Sequence, residues 1–347
     1  MMKYNYLGDT GLVVSALCFG TMTFGGEGMW EAVGKQPQKE ADELIRKSLD
    51  SGINFFDTAN VYSYGQSETI LGNSLKNLKV NRNEAIIATK VRGMMGEDHN
   101  NKGLSRFHIF NSVDKSLERL QLDHIDILYV HGVDSYTSIK EIMRCLNDLI
   151  ESGKVRYLGV CNWPAWMVMK AQGIARQEGW NEFKAMQYFY SLSGRDAEDS
   201  LIPLSRSEGL GFMPWSPLAG GFLTGKYTRY KKHSGENARR DDLDFPPINK
   251  EQGYEIVDVL KEIADSHEAT IAEVALAWVR MKSGVTSTII GAKNLKQLES
   301  NINSVDLILS DDDLDKLNKV SDTPTPYPSW MVGLQDSDRT KPNERDL

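Results

Sequence analysis

Short apolar runs rich in β-branched and aromatic residues alternate along this chain with longer amphipathic stretches. The runs are VVSALCFG ending at Gly20, INFFD at Asp57, AIIATK at Lys90, IDILYVH at His131, VRYLGVCN at Asn162, AMQYFY at Tyr190, GFMPWSP at Pro217 and STIIGA at Ala292. Each has the length and composition of a strand. Between them lie QKEADELIRKSLDSG, SETILGNSLKNL, HIFNSVDKSLERLQL, SIKEIMRCLNDLIESGK, WPAWMVMKAQGIARQEG, AEDSLIPLSRSEG, the segment Tyr254–Lys282, and LKQLESNIN. Several of these close on Gly or on Lys/Arg, as helix C-termini prefer. Repeated strand–helix alternation implies a parallel sheet, and eight repeats favour a closed (β/α)8 TIM barrel over an open doubly wound sheet. One domain is expected over 1–347, with a core at 13–308 and a hairpin at 3–12 that plugs one end. An irregular tail at 323–347 would fold over the active face or stay unstructured.

Three connections are long, Phe24–Pro37, Arg92–His108 and Thr224–Lys250, and all three follow strands. Connections of that kind lie on the C-terminal face of a barrel, where catalysis occurs. The last is highly charged and has no apolar period, so it is expected to act as a lid that orders on a phosphate through Lys226 and Arg229.

Composition narrows the classes. At 40% hydrophobic and 25% charged the chain is ordinary globular protein, and its net charge of −8 argues against a nucleic-acid surface. Cys18, Cys145 and Cys161 form no C-x-x-C pair and no disulfide framework, which fits a reduced compartment. The opening MMKYNYLGDTGL lacks the apolar stretch of a signal peptide, and no run approaches the ~20 residues that span a bilayer. A cytoplasmic protein without a membrane or nucleic-acid partner is expected.

The familiar nucleotide motifs fail. Gly26–Gly28 and Gly209–Gly211 do not continue to the third glycine of a dinucleotide fingerprint. GGFLTGK at 220–226 nearly forms a P-loop but runs into Tyr227. Its glycines would still let backbone N–H groups approach a phosphate. His267–Glu268 lacks the second histidine of a zinc motif, no Cys/His cluster has metal spacing, and no metal is expected.

Four ionisable residues stand where strands deliver side chains to one rim: Asp57, Lys90, His131, and Tyr62 just past the second strand. Singly, each has an ordinary reading as a turn cap, a solvated strand end, a core histidine or a packing tyrosine. Together they converge on three successive barrel positions. The stretches NFFDTANVYSYGQSETILG, ATK, LYVHGVD, GKVRYLGVCNW, MQYFYSL, PWSPLAGGFLTGKY and IIGAKNLKQLESN resemble the signatures of aldo-keto reductases, in order, from about Tyr4 to Ile308. The long loop ending in GLSR resembles the branch that holds sugar and quinone reductases and potassium-channel β subunits.

The resemblance implies a catalytic tetrad of Asp57, Tyr62, Lys90 and His131 and an NADPH cofactor reducing an aldehyde or ketone. Tyr62 would donate the proton, although a free phenol has a pKa of ~10. An ammonium ~4 Å away at an effective dielectric of ~20 is worth about 4 kcal/mol, enough to lower the phenol by about three pK units. Lys90 would be that ammonium, Asp57 would keep it charged, and a neutral His131 would orient the carbonyl.

By the same resemblance Asn162 and Gln187 would bind the carboxamide, Tyr190 would stack on the nicotinamide, and Thr21 and Met22 would touch the ribose side. Trp215, Ser216, Pro217, Leu218, Gly220, Gly221, Leu223 and Lys226 would run along the pyrophosphate. Gly291 and Lys293 would meet the 2′-phosphate, with Gln297 and Asn301 near the adenine. Three positions depart from the family pattern: Cys161 for a serine, Ile290 for a proline and Ser300 for an acid. Substrate would meet Tyr62, His131, Trp30 and Trp163, with Met22, Tyr64 and Trp330 completing an apolar pocket. Met94, Met95 and Phe245 would be lid contacts. Two alternatives stay open: an NADPH-sensing regulatory subunit with slow turnover, and a barrel isomerase or aldolase using Lys90 as a Schiff-base nucleophile.

Overall fold

The computed structural model describes residues 1–229 and 239–336. The chain opens with an antiparallel hairpin, β1 (Tyr4–Tyr6) against β2 (Val13–Ser15). Strand–helix pairs follow: β3 (Leu17–Gly20) and α1 (Gln38–Asp50), β4 (Phe55–Asp57) and α2 (Gln66–Asn77), β5 (Ile86–Val91) and α3 (Arg106–Leu120), β6 (Ile125–Val130) and α4 (Ile139–Glu151). The second half continues with β7 (Val155–Cys161) and α5 (Ala165–Glu178), then β8 (Phe183–Phe189) and α6 (Leu201–Ser207). After β9 (Gly211–Trp215) come α7 (Arg239–Asp242), α8 (Lys250–Ser266) and α9 (Ile271–Met281). β10 (Thr288–Ile290) precedes α10 (Leu295–Asn303), α11 (Asp311–Val320) and α12 (Ser329–Asp336).

Strands β3 to β10 form one parallel sheet in the order β10-β3-β4-β5-β6-β7-β8-β9. Its two ends meet where Thr286 N–H donates to Phe212 O at 2.8 Å, beside a parallel bridge between Phe212 and Val285. The result is a (β/α)8 TIM barrel. Alternation along each strand sorts the apolar residues into layers. Cys18, Phe55, Ala88, Ile127, Tyr129, Cys161, Ala185 and Met213 fill the interior, and Leu7 and Val14 of the hairpin join them from below. The opposite faces of the strands pack on the helices in two outer clusters, one under α1, α2 and α10 and one under α3 to α6, α8, α9 and α11. Helix starts are fixed by side chains that accept otherwise orphaned backbone N–H groups: Ser105 from His108, Ser138 from Glu141, and Thr270 in a reciprocal box with Glu273.

Four element boundaries differ from the sequence pattern. VVSALCFG is two strands, because Val13–Ser15 pair with β1 while Leu17–Gly20 pair inside the barrel, so the hairpin reaches Ser15. Tyr254–Lys282 is two helices, broken where Glu268 takes a φ of 52° and Thr270 caps a fresh helix. The core continues past 308 through α11, whose capping box at Ser310 and Asp313 starts a helix that buries Leu317. The tail holds a helix, α12, where irregular chain was expected. Residues 230–238 of the charged third loop lie outside the described residues.

One buried charge ties the second and third repeats together. Glu68 on α2 is fully buried; it accepts from the Thr89 hydroxyl of β5 at 2.5 Å and from Arg119 Nε of α3 at 2.7 Å. The helices touch closely there: a Cβ on Gly72 would lie 2.5 Å from Leu120 O. Removing one partner of such a pair strands a charge in a dry site. Arg119→Ala is therefore expected to cost about 3 kcal/mol, the low end for a buried pair because Arg119 keeps partial access to water. A urea midpoint unchanged from wild type would show that Glu68 finds another partner.

Candidate active site

The mouth at the C-terminal ends of the strands gathers the four sequence-predicted residues. Alternation on β5 sends Thr89 outward and Lys90 inward, so the lysine stem runs up the barrel interior and is fully buried. Its ammonium donates to Asp57 Oδ2 at 2.5 Å, to Thr58 O at 2.8 Å and to Tyr62 Oη at 3.3 Å. All three N–H donors are thereby used. The other oxygen of Asp57 accepts from Gln187 Nε2 at 2.9 Å.

Tyr62 begins a tight turn in which Ser63, Tyr64 and Gly65 have φ of 47°, 53° and 96°. Ser63 holds the turn, donating to Phe24 O and accepting from Gly26 N–H, both at 3.0 Å. The Tyr62 ring is sandwiched edge-on between Trp30, 5.3 Å away, and His131, 5.7 Å away. His131 follows β6, its N–H given to Val91 O.

Electrostatics separate the roles. Burial pushes the Lys90 ammonium down, but Asp57 and then Tyr62 outweigh it and the lysine ends above its ordinary value. Burial lifts the Tyr62 phenol, and Lys90, though it opposes this, does not reverse it. The expectation that Lys90 would bring the resting phenol down is thus corrected: desolvation and the Asp57 charge exceed the ammonium's pull. Burial, then Lys90 and Arg92, hold His131 well below the ordinary imidazole value, so the ring is neutral.

Around this centre lie the other expected residues. Asn162, at a φ of 57°, donates to His131 O at 3.3 Å and accepts from Trp215 Nε1 at 3.2 Å. Trp215 stands in an aromatic shelf between Phe189 at 5.2 Å and Phe245 at 5.8 Å, the latter nearly parallel. Beyond β9 the chain turns through Ser216, Pro217, Leu218 and Ala219 to Gly220 and Gly221, whose φ are 65° and 90°. Leu223 is spent in the outer core. Thr21 is buried, its hydroxyl shared with Asp57 O and Ser67 Oγ. Met22 stays partly exposed beside it. The Gly291–Lys293 turn is held from α10: Lys293 N–H donates to Gln297 Oε1 and Asn301 Nδ2 to Gly291 O.

Of the departures, Cys161 is sealed in the barrel interior with its thiol pushed up by burial, Ile290 is core, and Ser300 bonds Thr270. Tyr64 and Met94 stand exposed on the rim. Met95 gives its N–H to Asn101 O within its own loop.

Two expected contacts are not made, Tyr190 because its run turns it outward three positions after Gln187, and Trp163 because the left-handed Asn162 redirects the chain after the inward Cys161. Tyr190 is fully buried in the outer layer, stacked on Trp278 at 5.6 Å with its hydroxyl on Glu198, so it has no face for a nicotinamide. Trp163 packs edge-on against Phe183 in the same layer and does not line the mouth. Trp330 pairs with Tyr327 on the tail and is not brought to the tetrad.

One residue the sequence hides is Arg239. Burial, and then Arg240, depress its guanidinium, and its Nε has no partner among the described residues. Lys293 is depressed by burial and then by Lys226 and Arg239, and Lys226 by burial alone. The three cations gather beside the glycine turn with no ion pair among the described residues. Arg240 clamps the same turn from the buried side, donating to Ala219 O and Pro246 O.

The Aldo/keto reductase family pattern matches residues 16–322. The chain belongs to this family. An uncharacterized oxidoreductase of Bacillus subtilis is 36% identical over 95% of this chain and 100% of its own. A probable voltage-gated potassium channel subunit beta of Arabidopsis thaliana is 35% identical, and a versiconal hemiacetal acetate reductase of Aspergillus parasiticus 33%. Each of the two covers 92% of this chain and 96% of its own. Membership makes this aldo/keto reductase an oxidoreductase by descent. No helix among its described residues is long and apolar enough to cross a membrane.

The neutral His131 gives a pH test. An unfolded histidine gains its proton near pH ~6.5, whereas His131 resists it to well below that value. Below about pH 6.5 the unfolded chain therefore binds more protons at this site, and the site's contribution to stability, full above that pH, falls as pH drops. Imidazole NMR, assigned with His131→Gln, should show no His131 titration between pH 8 and 6. A midpoint inside that window would refute the neutral assignment.

Proposed function

We propose that the protein is an NADPH-dependent reductase of aldehydes or ketones in which Tyr62 is the proton donor. The observation that carries this reading is the dry chain Asp57–Lys90–Tyr62, with a neutral His131 edge-on to the phenol. A phenol held above its ordinary value is fully protonated at neutral pH, the form a general acid needs. Giving up that proton leaves a phenolate 3.3 Å from the Lys90 ammonium. In a water-excluded site that attraction is strongest once the negative charge has formed. Lys90 then works by stabilising the product of proton transfer rather than by acidifying the resting phenol. Asp57 and Thr58 O hold the ammonium in place. His131, uncharged, hydrogen-bonds the carbonyl oxygen and orients it, and the indole N–H of Trp30 at the same mouth is a buried donor without a partner among the described residues.

The residues fit the cofactor. Lys226, Lys293 and Arg239 make a desolvated cationic cluster suited to a phosphate dianion, and Arg239 Nε has no partner among the described residues. A Cβ on Gly221 would come to 3.5 Å from Lys226 Nζ, so glycine keeps that cradle open. Asn162 and Gln187 would hold the carboxamide, and Trp215 takes over from Tyr190 as the flat face for the nicotinamide ring. Leu223 and Thr21 would contribute backbone only, and Gln297 and Asn301 would act by fixing the Gly291–Lys293 turn. When bound, the reduced nicotinamide supplies a hydride to the carbonyl carbon. The reductase named among the relatives acts on a hemiacetal ester, which agrees with carbonyl chemistry.

Tyr62→Phe keeps the ring between Trp30 and His131 but removes the proton. It should leave NADPH binding nearly unchanged and cut turnover on a carbonyl panel by ~10²–10⁴-fold. A loss under tenfold would remove Tyr62 from the role.

Lys293→Ala should weaken NADPH by roughly 1.5–3 kcal/mol and NADH by much less, since only the former carries the 2′-phosphate. Fluorescence titration with both cofactors decides it. Equal losses, or a wild-type preference for NADH, would contradict the assignment.

A further inference from the structure

The residue directly after β5 has a backbone out of keeping with its type. Arg92, two positions beyond Lys90, has a φ of 142°, a left-handed region that glycine tolerates and arginine rarely adopts. Its carbonyl accepts from Gly103 N–H at 3.0 Å, and its own Nε donates to Val133 O at 3.1 Å. The side chain lies across the residue after His131: a Cβ on Gly132 would be 3.9 Å from both Cδ and Nε of Arg92. The following residue, Gly93, packs on Val61, directly before Tyr62, where an added Cβ would meet the valine at 2.5 Å. Arg92 is thus set on the rim between the elements that carry the proton donor and the carbonyl-orienting histidine.

The side chain is exposed, and its two terminal nitrogens make no hydrogen bond or ion pair among the described residues. Its field reaches His131. The acid whose charge it also feels, Asp134, already accepts from Leu104 N–H at 2.7 Å, Thr137 Oγ1 at 2.8 Å and Tyr136 N–H at 2.9 Å, and is not ion-paired to Arg92. A strained backbone persists only where its surroundings over-determine it, and such positions cluster at ligand-binding sites. Here the strain fixes on the rim an arginine whose forked, permanently charged donor pair is left unspent, a chemistry matched to a carboxylate.

We propose that Arg92 binds an anionic group, a carboxylate or its equivalent, at the far end of the carbonyl substrate. This makes the preferred substrates acid-bearing aldehydes or ketones. The inference rests on Tyr62 and His131 marking the carbonyl site.

The test compares 4-carboxybenzaldehyde with 4-methylbenzaldehyde, which differ in charge at the same position, on wild type, Arg92→Gly and Arg92→Lys. Wild type should favour the carboxylated aldehyde in kcat/KM. Arg92→Gly should lose about tenfold or more of that preference, mostly through KM, the scale of one charge-assisted hydrogen bond. Arg92→Lys should keep part of it. Glycine suits the local φ, so the Arg92→Gly midpoint in urea should be no lower than wild type, and a folding defect will not mask the result. Calorimetric binding of 4-carboxybenzyl alcohol, with 4-methylbenzyl alcohol as the neutral control, runs on the same three proteins. It decides the point even if neither aldehyde is reduced, an outcome that would sink the reductase reading instead. A wild type without preference in binding, or a variant that loses equally on charged and neutral ligands, overturns the proposal.

Discussion

A lysine ammonium buried without water can exist only if every one of its protons is received. Lys90 meets that condition through Asp57, the backbone carbonyl of Thr58 and the phenol of Tyr62. Losing any one acceptor would leave a charge uncompensated in low dielectric, a cost of several kcal/mol. The remaining features of the mouth follow from this demand. β4 must end where Asp57 meets β5, the Thr58 carbonyl must face inward, and the turn after Val61 must bring Tyr62 back over the barrel. That turn is possible only because Ser63, Tyr64 and Gly65 accept left-handed conformations. Gln187 closes the ring from β8, so four elements are bound to one another through a single cation and its carboxylate.

The barrel was legible because its signal is repetition. Eight apolar runs with helical stretches between them leave few alternatives, and Asp57, Lys90 and His131 each stand at or beside the end of a run. What the pattern could not give was phase near strand ends. Gln187 and Tyr190 sit three positions apart on the same run, and an odd separation puts them on opposite faces. The first points inward to Asp57 and the second outward to Trp278. The same alternation brings Trp215 in with Met213, whereas Trp163, two positions past the inward Cys161, is turned outward by the left-handed Asn162 that ends the run. Nor could sequence weigh burial against an ammonium at Tyr62, because the depth of a phenol is a tertiary quantity. Arg239 was invisible for another reason: within ENARRDDLD nothing distinguishes a desolvated guanidinium from a solvated one.

Backbone strain and chemistry coincide on this rim. Ser63, Tyr64, Arg92, Asn162, Ser216 and Ala219 all have positive φ, and each lies within a few residues of a strand's C-terminal end. Conformations of this kind cost of order 1–3 kcal/mol apiece and are kept where the scaffold is rigid enough to impose them. Here the rigidity comes from below, in a tightly filled interior and two apolar layers outside it. Stability stored in the body of the barrel is what permits an irregular, poised edge.

The hairpin at the base has a consequence for traffic. Leu7 and Val14 close the interior from beneath, so the barrel is a cul-de-sac and not a tunnel. Whatever reaches Tyr62 must arrive and depart through the same doorway, between Trp30 on one side and the Trp215 shelf on the other. Two molecules that share such a doorway queue, and the one lodged deeper is the last out. The pace of the protein can then be set by departures at its threshold as much as by events at its centre, and the residues framing that threshold become places where pace evolves without touching the tetrad.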